Sequence, residues 1–262
     1  MVSNPPVLEA RHLSRRFFGI SVVHDVSLMV RPGDVVGYLG PNGSGKTTTL
    51  RMLTGQLAPS EGQVLFCDRD IDTHPLELRR RLGYVPEEPQ LYPFLSGVEF
   101  LRLVGQLRQI PHSLLERKIA GLMELFGLAD ASDQDVGSYS KGMKQKLLIS
   151  GALLHDPDLL IFDEPESGLD VTTALVLRHL VRALAARGKA VLYSSHILEV
   201  VEKVCTKVIV LHRGRIVADD SVAHLRELLS RDSLEGVFKE LVLKIDPETT
   251  ANDIADVAAL RG

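Results

Sequence analysis

Glycine, lysine and threonine stand together in Gly40-Pro41-Asn42-Gly43-Ser44-Gly45-Lys46-Thr47, and their spacing is that of a phosphate cradle. Glycine, four residues, then Gly-Lys-Thr lets backbone N–H groups turn inward around phosphate oxygens. The lysine then reaches the β- and γ-phosphates and the threonine hydroxyl ligates Mg²⁺. The reading predicts a nucleoside triphosphate site over these residues and Thr48, which opens the helix behind the loop. Two further groups have matching chemistry. Asp163-Glu164 ends an apolar run, Asp163 suited to the Mg²⁺ shell and Glu164 to taking a proton from an attacking water. His196 ends another apolar run and is placed for a γ-phosphate contact rather than as a core histidine.

These groups need strands that end at one edge of a sheet. Val35-Val36-Gly37-Tyr38-Leu39 leads into the glycine loop, and Leu159-Leu160-Ile161-Phe162 and Ala190-Val191-Leu192-Tyr193-Ser194 are continuous apolar runs of the kind buried in parallel sheets. Around them, Val7–Ser14, Val22–Val30 and Gly62–Phe66 predict antiparallel strands, with Phe17-Phe18-Gly19 between the first two. Phe18 either lies flat against a purine ring or packs as a strand-end aromatic in the core. A short strand over Gly83–Pro86 follows Arg79-Arg80-Arg81, which reads as a solvated helix face and carries no chemistry.

From Glu88 to Leu154 the pattern turns helical, with periodic apolar residues in Val98–Leu107 and Leu114–Phe126. Its opening patch, Leu91-Tyr92-Pro93-Phe94-Leu95, is either internal packing or a docking surface. Ser167-Gly168-Leu169-Asp170 precedes a long amphipathic helix closed by Gly188. Lys207–Leu211 and Arg215–Ala218 predict a hairpin around Arg213-Gly214, and short helices over Val222–Leu229 and Leu234–Val242 precede a polar tail from Asp246.

The chain has 262 residues, 45% of them hydrophobic, and a net charge of −4, enough for an α/β core with a subdomain. The acidic balance argues against a chain that holds nucleic acid by bulk charge. No apolar run reaches a membrane span, and Met1–Arg16 lacks the apolar core of a signal peptide, so the expected location is the cytosol. Cys67 and Cys205 have no metal-ligand spacing and are expected to be reduced thiols.

The order of these motifs over residues 7 to 220 resembles the ATP-binding subunit of an ABC transporter. Tyr139-Ser140-Lys141-Gly142-Met143-Lys144-Gln145-Lys146 looks like that family's signature, usually Leu-Ser-Gly-Gly-Gln. The resemblance implies an ATPase that energises a transporter by head-to-tail dimerisation. Ser140, Lys141, Gly142 and Met143 would face the ATP of the opposite subunit, and Asp170 would lie in the segment crossing the dimer interface. His196 would be the switch histidine, and Phe18 the aromatic on adenine. It also implies a phosphate-loop NTPase core with a mainly parallel sheet and an antiparallel β subdomain (residues 1–87 and 155–220), an inserted helical signature subdomain (88–154) and a C-terminal appendage (221–262).

Tyr139, Lys141 and Met143 depart from the usual signature, and Glu87 stands where the family usually has glutamine; as a carboxylate it is expected to join Thr47 and Asp163 near Mg²⁺ and to support hydrolysis. The Gly-Met-Lys signature and Ser233-Leu234-Glu235-Gly236-Val237-Phe238 resemble a bacterial branch that partners separately encoded membrane permeases, mostly for export. The expected assembly is a homodimer or paralogous heterodimer, peripheral on the inner face of the cell membrane, with no nucleic acid. The rival reading, an ABC-type ATPase that handles ribosomes or nucleic acid, is favoured by two linked nucleotide domains or a sustained heptad, and this chain has neither. A GTPase would need Asn-Lys-x-Asp, and no asparagine here precedes lysine.

Overall fold

The computed structural model describes residues 5–228. Two sheets form its frame. The first is antiparallel, with strand order β2-β1-β4-β5, built from β1 (Leu8–Phe17), β2 (Ile20–Val30), β4 (Glu61–Phe66) and the short β5 (Arg69–Asp70). The second has order β10-β9-β3-β8-β7-β6, from β3 (Val35–Leu39), β6 (Leu82–Val85), β7 (Leu159–Asp163), β8 (Ala190–Ser194), β9 (Lys207–His212) and β10 (Arg215–Ser221). Its strands are parallel except β10, which returns as an antiparallel edge.

Alternation along the buried strands gives the second sheet two cores, because successive side chains point to opposite faces. Val36, Tyr38, Ile161, Leu192 and Ile209 join the apolar side of the antiparallel sheet and helix α1 (Lys46–Leu53). Val35, Leu39, Phe162, Val191, Tyr193 and Val208 instead meet the helices on the other face. These are α3 (Gly97–Leu107), α4 (His112–Leu125), α5 (Lys141–Leu153), α6 (Val171–Ala186) and α7 (Leu198–Val204). Leu101, Leu115, Ile119, Met123, Tyr139 and Leu147 of the helical stretch belong to the same cluster. α2 (Pro75–Arg81) precedes β6, and α8 (Val222–Leu228) follows β10.

Local signals explain the helix starts. Ser96 and Glu99 form a reciprocal capping box on α3. The Oγ of Ser140 accepts from Met143 N at the start of α5, and Asp170 accepts from Thr173 N at the start of α6.

Several elements differ from their sequence reading. β1 runs on to Phe17 and β2 begins at Ile20, so the connection is a two-residue turn of Phe18 and Gly19, both with positive φ. Register shifts between Ala10 and Arg16 interrupt the alternation, which hides the strand ends. Phe18 is wholly exposed at the tip (105%), so the core alternative is excluded. Arg81 is no free solvated charge: it binds Asp158 at 2.5 Å and covers the Phe66 ring. The segment Leu234–Val242 and the motif Ser233–Phe238 lie outside the described residues.

Candidate functional site

The carboxyl ends of β3, β8, β7 and β6, adjacent in that order, converge on one edge. That order places His196, just beyond β8, between the glycine loop after β3 and Asp163-Glu164 at the end of β7. Val85 pairs with Phe162, which brings Glu87 to the same edge. A cleft of about 720 Å³ results, lined by Gly40, Pro41, Asn42, Gly43, Gly45, Lys46, Thr47, Thr48, Glu87, Asp163, Glu164 and His196.

The loop conformation follows from its glycines. A side chain at Gly40 would strike the Leu211 carbonyl at 2.4 Å, and Gly45 has φ +103. Gly45 is also the N-cap of α1, with no side-chain cap and no acidic residue in the first turn. The first N–H groups of the helix therefore face the cleft without a competing acceptor, which favours an anion. Ser44 is buried beneath, and its carbonyl accepts from Gly214 N at 2.9 Å, so the β9–β10 turn braces the loop. Lys46 Nζ donates to the carbonyls of Gly40 (2.6 Å) and Pro41 (3.2 Å). Burial holds its pKa below the usual value, against the opposing pull of Glu164, Asp163 and Glu87.

Asp163 is 2% exposed, and its Oδ2 has no hydrogen-bond partner among the described residues. Burial pushes its carboxyl up to about 6; the Ser194 hydroxyl opposes this, Glu87 and Glu164 add to it, and Lys46 opposes it again. A buried carboxylate oxygen without a donor suits a cation shell, and the Thr47 hydroxyl lines the same cleft. Among the described residues no three His, Cys, Asp or Glu side chains could cage a metal. One buried carboxylate and one hydroxyl, both hard oxygen donors, are a set that Mg²⁺ could share with phosphate and water.

Glu164 has φ +48, a left-handed conformation costly for a side chain of this kind. Its N–H donates to the Ser194 carbonyl, and its Oε2 lies 2.8 Å from Nδ1 of His196. The carboxylate is well covered (12% exposed) and the imidazole open (69%), so the pair forms a lip of the cleft.

The signature residues lie elsewhere. Ser140, Lys141, Gly142, Met143 and Asp170 do not line this cleft. Lys141 Nζ donates to Ser167 Oγ at 2.7 Å, and a side chain at Gly142 would strike the Gly168 carbonyl at 2.6 Å, so the signature and Ser167-Gly168-Leu169-Asp170 are in contact within one chain. Phe18 does not line the cleft either; Val22 and Leu198, not singled out from sequence, do. Also missed were Glu166, in the segment after Glu164, with its partners Arg178 and Tyr193, and the bond that Gln145 of the signature makes to the Pro165 carbonyl. No motif marks the Glu166, Arg178 and Tyr193 contacts, and only folding brings these residues together.

A glycine loop ahead of an uncapped helix, a buried aspartate on the next-but-one strand and, next to it, a glutamate paired with the histidine of the strand between define a phosphate-loop nucleotide-binding domain. A family model described as "ABC transporter" matches residues 23–167. The chain is 37% identical over 236 residues to the "ABC transporter ATP-binding protein NatA" of Bacillus subtilis (strain 168), covering 88% of this chain and 96% of that one. It is 36% identical over 217 residues to a "Nod factor export ATP-binding protein I" of Ralstonia nicotianae (strain ATCC BAA-1114 / GMI1000), covering 83% and 68%. A solved structure titled "Structure of ATP binding subunit of ABC transporter" superposes with a TM-score of 0.85 at 33% identity, over 90% of this chain and 99% of that one. The chain belongs to the ABC transporter family, as an ATP-binding subunit. Among the described residues no helix is long and apolar enough to cross a membrane.

Proposed function

We propose that this chain hydrolyses ATP to ADP and phosphate and so energises an exporter whose membrane permeases are separate chains. The observation that carries the reading is the Glu164–His196 pair, 2.8 Å apart beside the phosphate loop. Lys46 leaves its loop carbonyls to bind the β- and γ-phosphates, and the N–H groups of Gly43 and of Gly45 to Thr48 hold the rest, that of Ser44 being taken by the Pro41 carbonyl. Glu164 accepts the proton of the attacking water while His196 orients it and contacts the γ-phosphate. Thr47, Asp163 and Glu87 would hold Mg²⁺, which when bound neutralises charge developing on the transferred phosphoryl group. Glu87 keeps a supporting role, because Glu164 alone is paired with the histidine.

Ser140, Lys141, Gly142 and Met143 serve the ATP of a second subunit, identical or paralogous, in a head-to-tail dimer that Asp170 helps to cross. That none of them lines this chain's own cleft supports that division. Phe18, free at its turn, stacks on adenine. Tyr92 and Phe94, exposed and 5.9 Å apart at the start of the 88–154 insert, offer the apolar surface on which permease helices dock at the inner membrane face. The name of the Nod factor relative supports export as the direction.

The test has two parts. Glu164→Gln should bind ATP like the wild type and lose hydrolysis by about 10²- to 10⁴-fold. Affinity purification of the full chain from native membranes should bring down a polytopic membrane protein. Full activity of the variant refutes the base assignment, and a ribosome in place of a membrane protein refutes the transport role.

A further inference from the structure

We infer that Glu166 is a positioning residue for Glu164: clasped by Arg178 and Tyr193, it fixes the loop that presents Glu164 to His196. Glu166 Oε1 accepts from Arg178 Nε at 2.9 Å and from the Tyr193 hydroxyl at 2.8 Å, and Oε2 accepts from Arg178 Nη2 at 2.7 Å. This is a bidentate guanidinium–carboxylate fork with a third donor, and both partners are largely covered (Arg178 24% and Glu166 12% exposed). Arg178 belongs to α6 and Tyr193 to β8, the strand that delivers His196. One carboxylate thus joins the loop, a long helix and the strand bearing the other half of the catalytic pair.

The loop needs such a clasp. The left-handed φ of Glu164 persists only where its surroundings over-determine it. Three restraints do so: Glu164 N–H on the Ser194 carbonyl, Gln145 Nε2 on the Pro165 carbonyl at 3.1 Å, and the Glu166 fork. The Ser167 N–H then closes a turn on the Glu164 carbonyl at 3.1 Å, so a shift at residue 166 moves residue 164 directly. Loosening the fork lets Glu164 relax toward negative φ and carries its carboxylate away from His196. The phosphate loop shares none of these bonds, so nucleotide binding is untouched.

The inference rests on Glu164 as the general base, and the experiment separates the two. Mg-ATPase kinetics and affinity for a fluorescent ATP analogue are measured for the full-length chain, Glu164→Gln, Glu166→Gln, Tyr193→Phe and the Glu164→Gln/Glu166→Gln double variant. Glu166→Gln should lower kcat by about tenfold or more, with KM and analogue affinity within about twofold, the value for an untouched binding site. Tyr193→Phe, which removes one bond and no charge, should show the same pattern more weakly and carries the test if Glu166→Gln does not fold. The double variant should be no slower than Glu164→Gln, because Glu166 acts only through the lost base. A rise in KM at unchanged kcat, or a further full drop in the double variant, overturns the inference. A slow Glu164→Gln beside fully active Glu166→Gln and Tyr193→Phe overturns it alone, whereas a fast Glu164→Gln overturns the general-base reading and the inference with it.

Discussion

Asp163→Asn should stabilise the nucleotide-free protein while removing its response to Mg-ATP. Burial carries the Asp163 pKa from 3.8 to about 6. A group raised on folding is stabilising, relative to its ionised form, below its unfolded pKa, and that advantage is lost as pH rises through the folded pKa. About two units at 1.36 kcal/mol each make the ionised carboxylate a cost of about 3 kcal/mol at pH 8. The same two pKa values give about half of that at pH 5, where folded Asp163 is protonated and unfolded Asp163 is not. An asparagine of the same shape avoids the cost but places an amide N–H₂ near a position with no partner, at about 1–2 kcal/mol, so the net gain expected at pH 8 is about 1–2 kcal/mol. Urea unfolding of both proteins without nucleotide at pH 8 and pH 5 reads the effect, and the gap should shrink on acidification. With Mg-ATP the wild type should gain stability by linkage and the variant should gain little. Equal stabilities at pH 8, or a gap that widens at pH 5, would refute the claim that Asp163 is held ionised at a cost.

Two other substitutions test the loop and its neighbour. Lys46→Ala should weaken ATP binding by at least about a hundredfold, since no other cation lines the cleft among the described residues; mixing it with inactive Ser140→Arg should restore part of the hydrolysis, because one site of the mixed dimer then has an intact loop and an intact signature. No recovery in a demonstrably mixed dimer means each chain works alone. Glu87→Gln should lower turnover by less than about tenfold and raise the Mg²⁺ concentration for half-maximal rate. A larger loss than at Glu164 would transfer the role of base to Glu87.

What was legible in the sequence was carried by the backbone. Strands β3, β7 and β8 are buried on both faces and so read as unbroken apolar runs, and the glycines of the loop are tied to one backbone path. Asp163, Glu164 and His196 follow those runs directly, so their meeting at one edge could be read from their positions. Phe18 could not be placed, because a tight turn and a buried strand end share the same residues until the register is known. The Glu166 fork was invisible for another reason: its partners are 12 and 27 residues away, and each is an ordinary residue in its own helix or strand. Glu166 follows Pro165 in an acidic stretch that reads as surface, yet it is one of the better covered carboxylates.

The contact between Lys141 and Ser167, with Gly142 seated against the Gly168 carbonyl, has a consequence for the timing of turnover. It and the bond of Gln145 to Pro165 tie the start of α5 to the segment after Glu164. In the proposed head-to-tail pair the first faces the neighbour's ATP and the second faces the chain's own. Each subunit is then a short lever with one end in each site, so phosphate release at one end is felt at the other within a single chain. The pair, and not the chain, becomes the clock of the cycle, and ATP dependence takes a Hill coefficient above one; simple hyperbolic kinetics in a proven dimer would break the lever.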